Sequence, residues 1–203
     1  MARPREFDEA AVLDAATDCF WRNGYEATSV RDLAAHMGIT GASLYNAFGD
    51  KHALFRQVVR YAERSMRERI SRLESALPTK GAVRAFLGEI VERSTGGDRR
   101  GCLLVNTALE AAPDDPELRQ EVAARLAEIE AFFRRSVTAA QRDGSIPPGR
   151  TPEDLARLML GVTLGLRVLA RSTPEREFLE GVARPALALL DWPDRADLPK
   201  KIS

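Results

Sequence analysis

Between Thr28 and Lys51 the chain reads TSVRDLAAHMGITGASLYNAFGDK. Its hydroxyls, carboxamide, phenol and cations are the groups that hydrogen-bond phosphates and base edges. The spacing around them is specific. Thr28 can accept a hydrogen bond from a free backbone N–H and so start a helix, whose inner face is Val30, Leu33 and Ala34. Gly38 falls where a tight turn between helices needs a residue tolerant of positive φ. Ile39 and Leu44 then supply the inner contacts of a second short helix, and the small Ala34 lets the two helices approach closely. A pair locked in this way leaves the outer face of residues 40 to 46 free to enter a major groove. Arg31 faces away from the apolar stripe, as a solvated charge or a phosphate contact. Spacing alone leaves two readings open, a DNA-binding helix-turn-helix and a purely structural one within a helical enzyme, carrier or adaptor.

Bulk properties narrow the field without choosing between these. The 203 residues are 44% hydrophobic and 30% charged, enough for a sizeable core. Apolar runs are short and broken by charges, so no membrane span is expected, and the first residues lack the apolar stretch of a signal peptide. A cytoplasmic protein is expected. The two cysteines, Cys19 and Cys102, and the two histidines make neither a disulfide framework nor a metal cluster. No nucleophile elbow, P-loop or dinucleotide fingerprint occurs, so neither catalytic residues nor a cofactor is expected. Formal net charge is zero, and residues 1 to 60 hold seven Lys/Arg against eight Asp/Glu. Composition therefore lends nucleic-acid binding no support, and the pattern must carry it.

The remaining elements all read as helices. The first runs from about Phe7 to Asn23, with Gly24 as its stop. Asp50 caps a long fourth helix with the stripe Leu54, Val58, Ala62, Met66, Ile70, Leu73 and Leu77, ended by Pro78. Residues 80 to 94 form an amphipathic helix, and residues 102 to 112 a short buried one. Asp115-Pro116, Thr151-Pro152 and Thr173-Pro174 open three more, the last kinked at Pro185. The tail beyond Asp191 is polar and expected to fray. The expected fold is all-α with about nine helices: a helix-turn-helix domain over residues 1 to 50, an effector-binding and dimerisation domain over 51 to 192, and a flexible tail over 193 to 203.

The segment TSVRDLAAHMGITGASLYNAFGDKHALF, with ATDCFWRNGYEATSV before it, resembles the N-terminal signature of the TetR family of regulators. The match covers about residues 8 to 60, and the helix pattern and length fit the family throughout. The resemblance implies a DNA-binding regulator, by family habit a repressor. It implies that Thr28 caps the first motif helix and touches a phosphate, and that Thr40, Ser43, Tyr45 and Asn46 lie on the recognition helix. Tyr45 and Lys51 would hold the DNA backbone, with Ser43 and Asn46 nearest the bases. Many members carry a basic residue where this chain has Gly41, and an aromatic where it has Ala47. Arg3 and Arg5 are candidates for a compensating arm.

The resemblance further implies a small-molecule pocket in the second helical block. Candidate walls are Phe86, Ile90, Leu103, Leu104, Leu109, Phe132 and Met159, each more readily read as core, and the low aromatic content with few buried polar residues points to an apolar effector. Cys102 follows Arg99 and Arg100 near a helix start, which reads either as a redox-sensing thiolate or as a small buried residue. Gly161 and Gly165, four apart, permit close helix approach across a homodimer interface or within one chain. A two-fold dimer would read an inverted-repeat operator in double-stranded DNA.

Overall fold

A computed structural model describes residues 7–96, 102–111 and 115–191. Among them the secondary structure is entirely helical: α1 (Glu9–Asn23), α2 (Val30–Met37), α3 (Gly41–Phe48), α4 (Lys51–Ala76), α5 (Thr79–Thr95), α6 (Leu103–Glu110), α7 (Pro116–Arg142), α8 (Pro152–Ser172) and α9 (Arg176–Ala188). None of these helices is long and apolar enough to cross a membrane. The expected arm at Arg3 and Arg5 and the tail over 193 to 203 lie outside the described residues.

Local chemistry sets most boundaries. Asp8 accepts the Ala10 N–H at 2.9 Å and starts α1, two residues later than the periodicity suggested. Gly24 closes that helix at φ +84°, donating its N–H to the Phe20 carbonyl. Asp50 accepts the Ala53 N–H at 2.7 Å at the head of α4, and Thr151 accepts the Asp154 N–H at 3.1 Å at the head of α8. Pro185 lies inside α9, which continues past it to Ala188.

The chain packs as two compact units, Met1–Arg67 with Cys102–Val122, and Glu68–Gly101 with Ala123–Ser203. Two of the three divisions fall inside α4 and α7, where no turn or composition shift marks them, and the third falls just before Cys102. In the first unit, Val12, Ala16, Cys19 and Phe20 of α1 are buried with Leu33 and Met37 of α2, Leu44 and Phe48 of α3, and Leu54, Phe55, Val58 and Val59 of α4. Phe55 meets Phe20 edge-on at 4.9 Å and Tyr25 at 4.7 Å. His52 pairs with Asp115, and Arg56 pairs with Glu117 and Glu121, joining the first turns of α4 and α7. In the second unit Phe86, Phe132 and Phe133 form a fully buried triad with centroids 5.1 to 5.3 Å apart. Val83, Leu87, Ile90, Ile129, Val137, Met159 and Leu166 are buried in the same unit.

Candidate nucleic-acid interface

The turn between α2 and α3 is built as its residue types require. Gly38 adopts the left-handed conformation, φ 65° and ψ 27°, and its N–H reaches the Ala34 and Ala35 carbonyls. Ile39 donates to the Ala34 carbonyl at 3.0 Å, and three residues, Gly38 to Thr40, separate the two helices. Leu33 and Ala34 below and Leu44 and Phe48 above are buried, which holds the two helices as one body.

The start of α2 corrects the sequence reading. Ser29, not Thr28, is the N-cap: its hydroxyl accepts the Asp32 N–H at 3.1 Å while the Asp32 carboxylate accepts the Ser29 N–H at 3.2 Å, a complete capping box. Hydrogen bonds from Ser29, chiefly its side chain, hold the Asp32 carboxyl below the usual carboxylate range. Thr28 is only 1% exposed, and its hydroxyl donates to the Gly24 carbonyl at 2.6 Å. It fastens the α1–α2 loop and presents no surface to a phosphate. Two adjacent hydroxyl residues were available, and burial of the first left the second to cap.

The outer face of α3 is different in kind. Thr40 is the N-cap, accepting the Ser43 N–H at 3.1 Å, with the two side-chain oxygens 2.9 Å apart. Both hydroxyls retain acceptor capacity for an outside donor. Tyr45 is 54% exposed, and Asn46 beside it is also exposed. Among the described residues neither side chain has a hydrogen-bond partner, although Tyr45 is the kind of aromatic that folding usually covers. Ala42, not singled out from sequence, shares this face, three and four residues before Tyr45 and Asn46. Its helical position was the available signal, and its methyl group suits a thymine methyl. Beyond Gly41 there is open space where a side chain would stand.

No charge lies on α3. Cations flank it instead. Arg31 is exposed on α2. Lys51, first residue of α4, lies 4.4 Å from the Tyr25 ring centroid and donates to the Glu26 carbonyl at 3.4 Å. The structure thus brings Arg31, Thr40, Ser43, Tyr45, Asn46 and Lys51 into one unit, and withdraws Thr28 from its surface.

The pocket candidates divide. Phe86, Ile90, Phe132 and Met159 are buried in the second unit, whereas Leu103, Leu104 and Leu109 belong to the first. Leu109 is 72% exposed and lines no interior, a correction with a simple cause: α6 is a two-turn helix with more apolar residues than one buried face holds. Cys102, at the head of α6, is half-buried with a free thiol, and Arg99 and Arg100 lie outside the described residues. Cys19 is a core residue whose thiol is pushed up by burial.

Comparison with known proteins places both parts of the chain in one family. The model of bacterial regulatory proteins of the tetR family matches residues 12–58, and that of a tetracyclin repressor-like C-terminal domain matches residues 79–185. The chain is 33% identical to the HTH-type transcriptional regulator YezE of Bacillus subtilis, over 94% of this chain and all of that one. It is 31% identical to the HTH-type transcriptional repressor ComR of Escherichia coli, over 95% of this chain and 92% of that one. A cysteine-substituted form of the regulator CifR, solved in complex with a 26bp double-strand operator DNA, superposes with a TM-score of 0.81 at 35% identity, covering 93% of this chain and 100% of that one.

Proposed function

The chain belongs to the TetR family of bacterial regulatory proteins, DNA-binding transcription regulators rather than enzymes, and on that premise we propose that it is a cytoplasmic repressor that binds an inverted-repeat operator as a homodimer and leaves it when a small molecule occupies its second unit. One observation carries the DNA-binding face: Tyr45 and Asn46 stand exposed and unpartnered on a helix whose opposite side, Leu44 and Phe48, is locked in the core. A rigid helix with an uncommitted polar face is what a groove reader needs. Tyr45, Lys51 and Arg31 hold phosphates in this reading, and Ser43 and Asn46 address bases.

The dimer reading draws on α8 and α9. Leu158, Val168 and Phe178 are exposed apolar side chains, and Gly161 and Gly165 have open space beyond them. A second copy would cover this surface and set two recognition helices against successive half-sites. Release by effector requires only that the ligand favour one separation of the two heads over the other.

The test is a mobility shift with the DNA upstream of the protein's own gene. Binding at nanomolar protein, centred on an inverted repeat and falling steeply with salt, is the expected result. Failure to bind any inverted repeat, including ones selected from random sequence, refutes the reading.

A further inference from the structure

The side chains of α3 are selective in what they leave out. Gly41–Phe48 reads GASLYNAF, with no Arg, Lys, Gln, Asp or Glu. Arg and Lys are the residues that reach guanine O6 and N7, and carboxylates are those that accept from cytosine N4. The helix therefore has no charged reader of a G·C pair. The cations beside it are placed otherwise. Arg31 is on α2, and the first helix of such a motif crosses the DNA backbone. Lys51 is turned to the Tyr25 ring and the Glu26 carbonyl.

Burial and partners sort the side chains that remain. Leu44 and Phe48 are core. The Ser43 hydroxyl lies 2.9 Å from that of Thr40, and a hydroxyl both donates and accepts, so it suits any base edge. The Tyr45 phenol has the same indifference. Ala42 and Asn46 are left, both exposed. They are four residues apart, so their Cβ atoms stand on one face about 5–6 Å from each other. Successive bases on a strand are about 3.4 Å apart, so the two side chains address base pairs one or two steps apart. A Cβ on Gly41 would meet nothing within 4 Å, and Ala42 adds only a methyl, so the start of α3 can approach the groove floor closely.

The chemistry of these two groups selects their partners. The Asn46 carboxamide sets an acceptor oxygen beside an NH2 donor. Adenine alone offers the converse in the major groove, the N6 amino donor beside the N7 acceptor. Guanine presents two acceptors there, and cytosine and thymine one polar group each. The Ala42 methyl has nothing to bond, and the thymine 5-methyl is the apolar group that the groove provides.

We propose that α3 reads A·T pairs: Asn46 takes an adenine through N6 and N7, and the Ala42 methyl packs on a thymine 5-methyl one or two base pairs away. This rests on the reading that α3 enters the major groove of an operator, and adds the base identity that each half-site carries there.

Selection of tight binders from random-sequence duplex DNA by the full chain yields the operator, and base analogues then test each contact. Adenines of one half-site are replaced in turn by 7-deazaadenine, which lacks N7, and thymines by uracil, which lacks the methyl. Both changes lie in the major groove. One 7-deazaadenine should weaken wild-type binding about fivefold, the loss of one hydrogen bond, and Asn46→Ala should not respond to it. One uracil, within two base pairs of that adenine, should weaken wild-type binding about fourfold, the loss of one buried methyl, and Ala42→Gly should not respond to it. A thermal melt establishes that each variant folds, and the analogues on wild-type protein decide the matter where one does not. The absence of either wild-type response overturns the proposal, as does a variant that keeps the response assigned to its missing group. Selection separates the two failures: recovered duplexes with no responding A·T pairs defeat only this inference, and recovery of no duplex defeats the regulator reading together with it.

Discussion

The Glu110 carboxylate accepts the backbone N–H of Tyr25 at 3.0 Å, joining residues 85 apart in sequence. It ties the end of α6 to the loop that follows α1, and the same oxygen lies 2.6 Å from where a Cβ on Gly24 would stand. Three constraints therefore meet at Gly24: a positive φ, the end of a helix and the approach of Glu110. Glu110→Ala should lower the melting temperature by about 2–4 °C, the effect of roughly one hydrogen bond in a domain of this size. Gly24→Ala should cost more, about 1–3 kcal/mol, because its φ is strained for any side chain. Combining the two should recover only the part due to the carboxylate clash. Thermal unfolding of the three variants followed by circular dichroism checks this, and full recovery would show that φ contributes nothing.

Thr28 should behave as a structural residue. Thr28→Val keeps the volume but loses the buried bond to the Gly24 carbonyl, so stability should fall by about 1–2 kcal/mol. Operator affinity per folded molecule should not change. A loss of affinity without a loss of stability would return Thr28 to the DNA surface.

The exposed face of α3 and its flanks should separate into two behaviours. Lys51→Ala should weaken binding to all sequences alike and reduce the salt slope by about 1, with Tyr45→Ala also acting without regard to sequence. Asn46→Ala should instead change discrimination at one or two positions per half-site, by about 1–3 kcal/mol. Binding isotherms on a panel of single-base operator variants at several salt concentrations resolve the two patterns.

The capping box predicts an acid effect. The folded pKa of Asp32 is lowered, so its stabilising contribution is present above the unfolded carboxylate value, about 3.9, and is lost as pH falls through the lower folded value. The difference in melting temperature between the wild type and Asp32→Asn should therefore be largest near neutrality and shrink below about pH 4. A difference constant across that range would mean that the charge of Asp32 plays no part.

Much of the fold was legible because its signals are local. Asp50, Thr151 and Gly38 act through hydrogen bonds or dihedrals within four residues of themselves, so their roles could be read from their order in the chain. The same holds for the face of α3, since Leu44 and Phe48 are one helical turn apart and leave Tyr45 and Asn46 on the other side. Leu109 was not legible: apolar character says that a residue prefers cover, but cover depends on which helices pack on α6.

The sequence by itself determined the nine helices of the described residues, the tight turn at Gly38 and the outward face of α3 with Tyr45 and Asn46, because each follows from propensities and periodicities spanning one or two turns. Tertiary structure alone decided that Ser29 rather than Thr28 caps α2, that Glu110 reaches Tyr25, and that Arg69 is buried against the Phe86 ring. The physical reason is common to all three. Burial and long-range partners depend on which distant segments arrive at the same place, and a residue's type constrains what it can bond without saying what will be there.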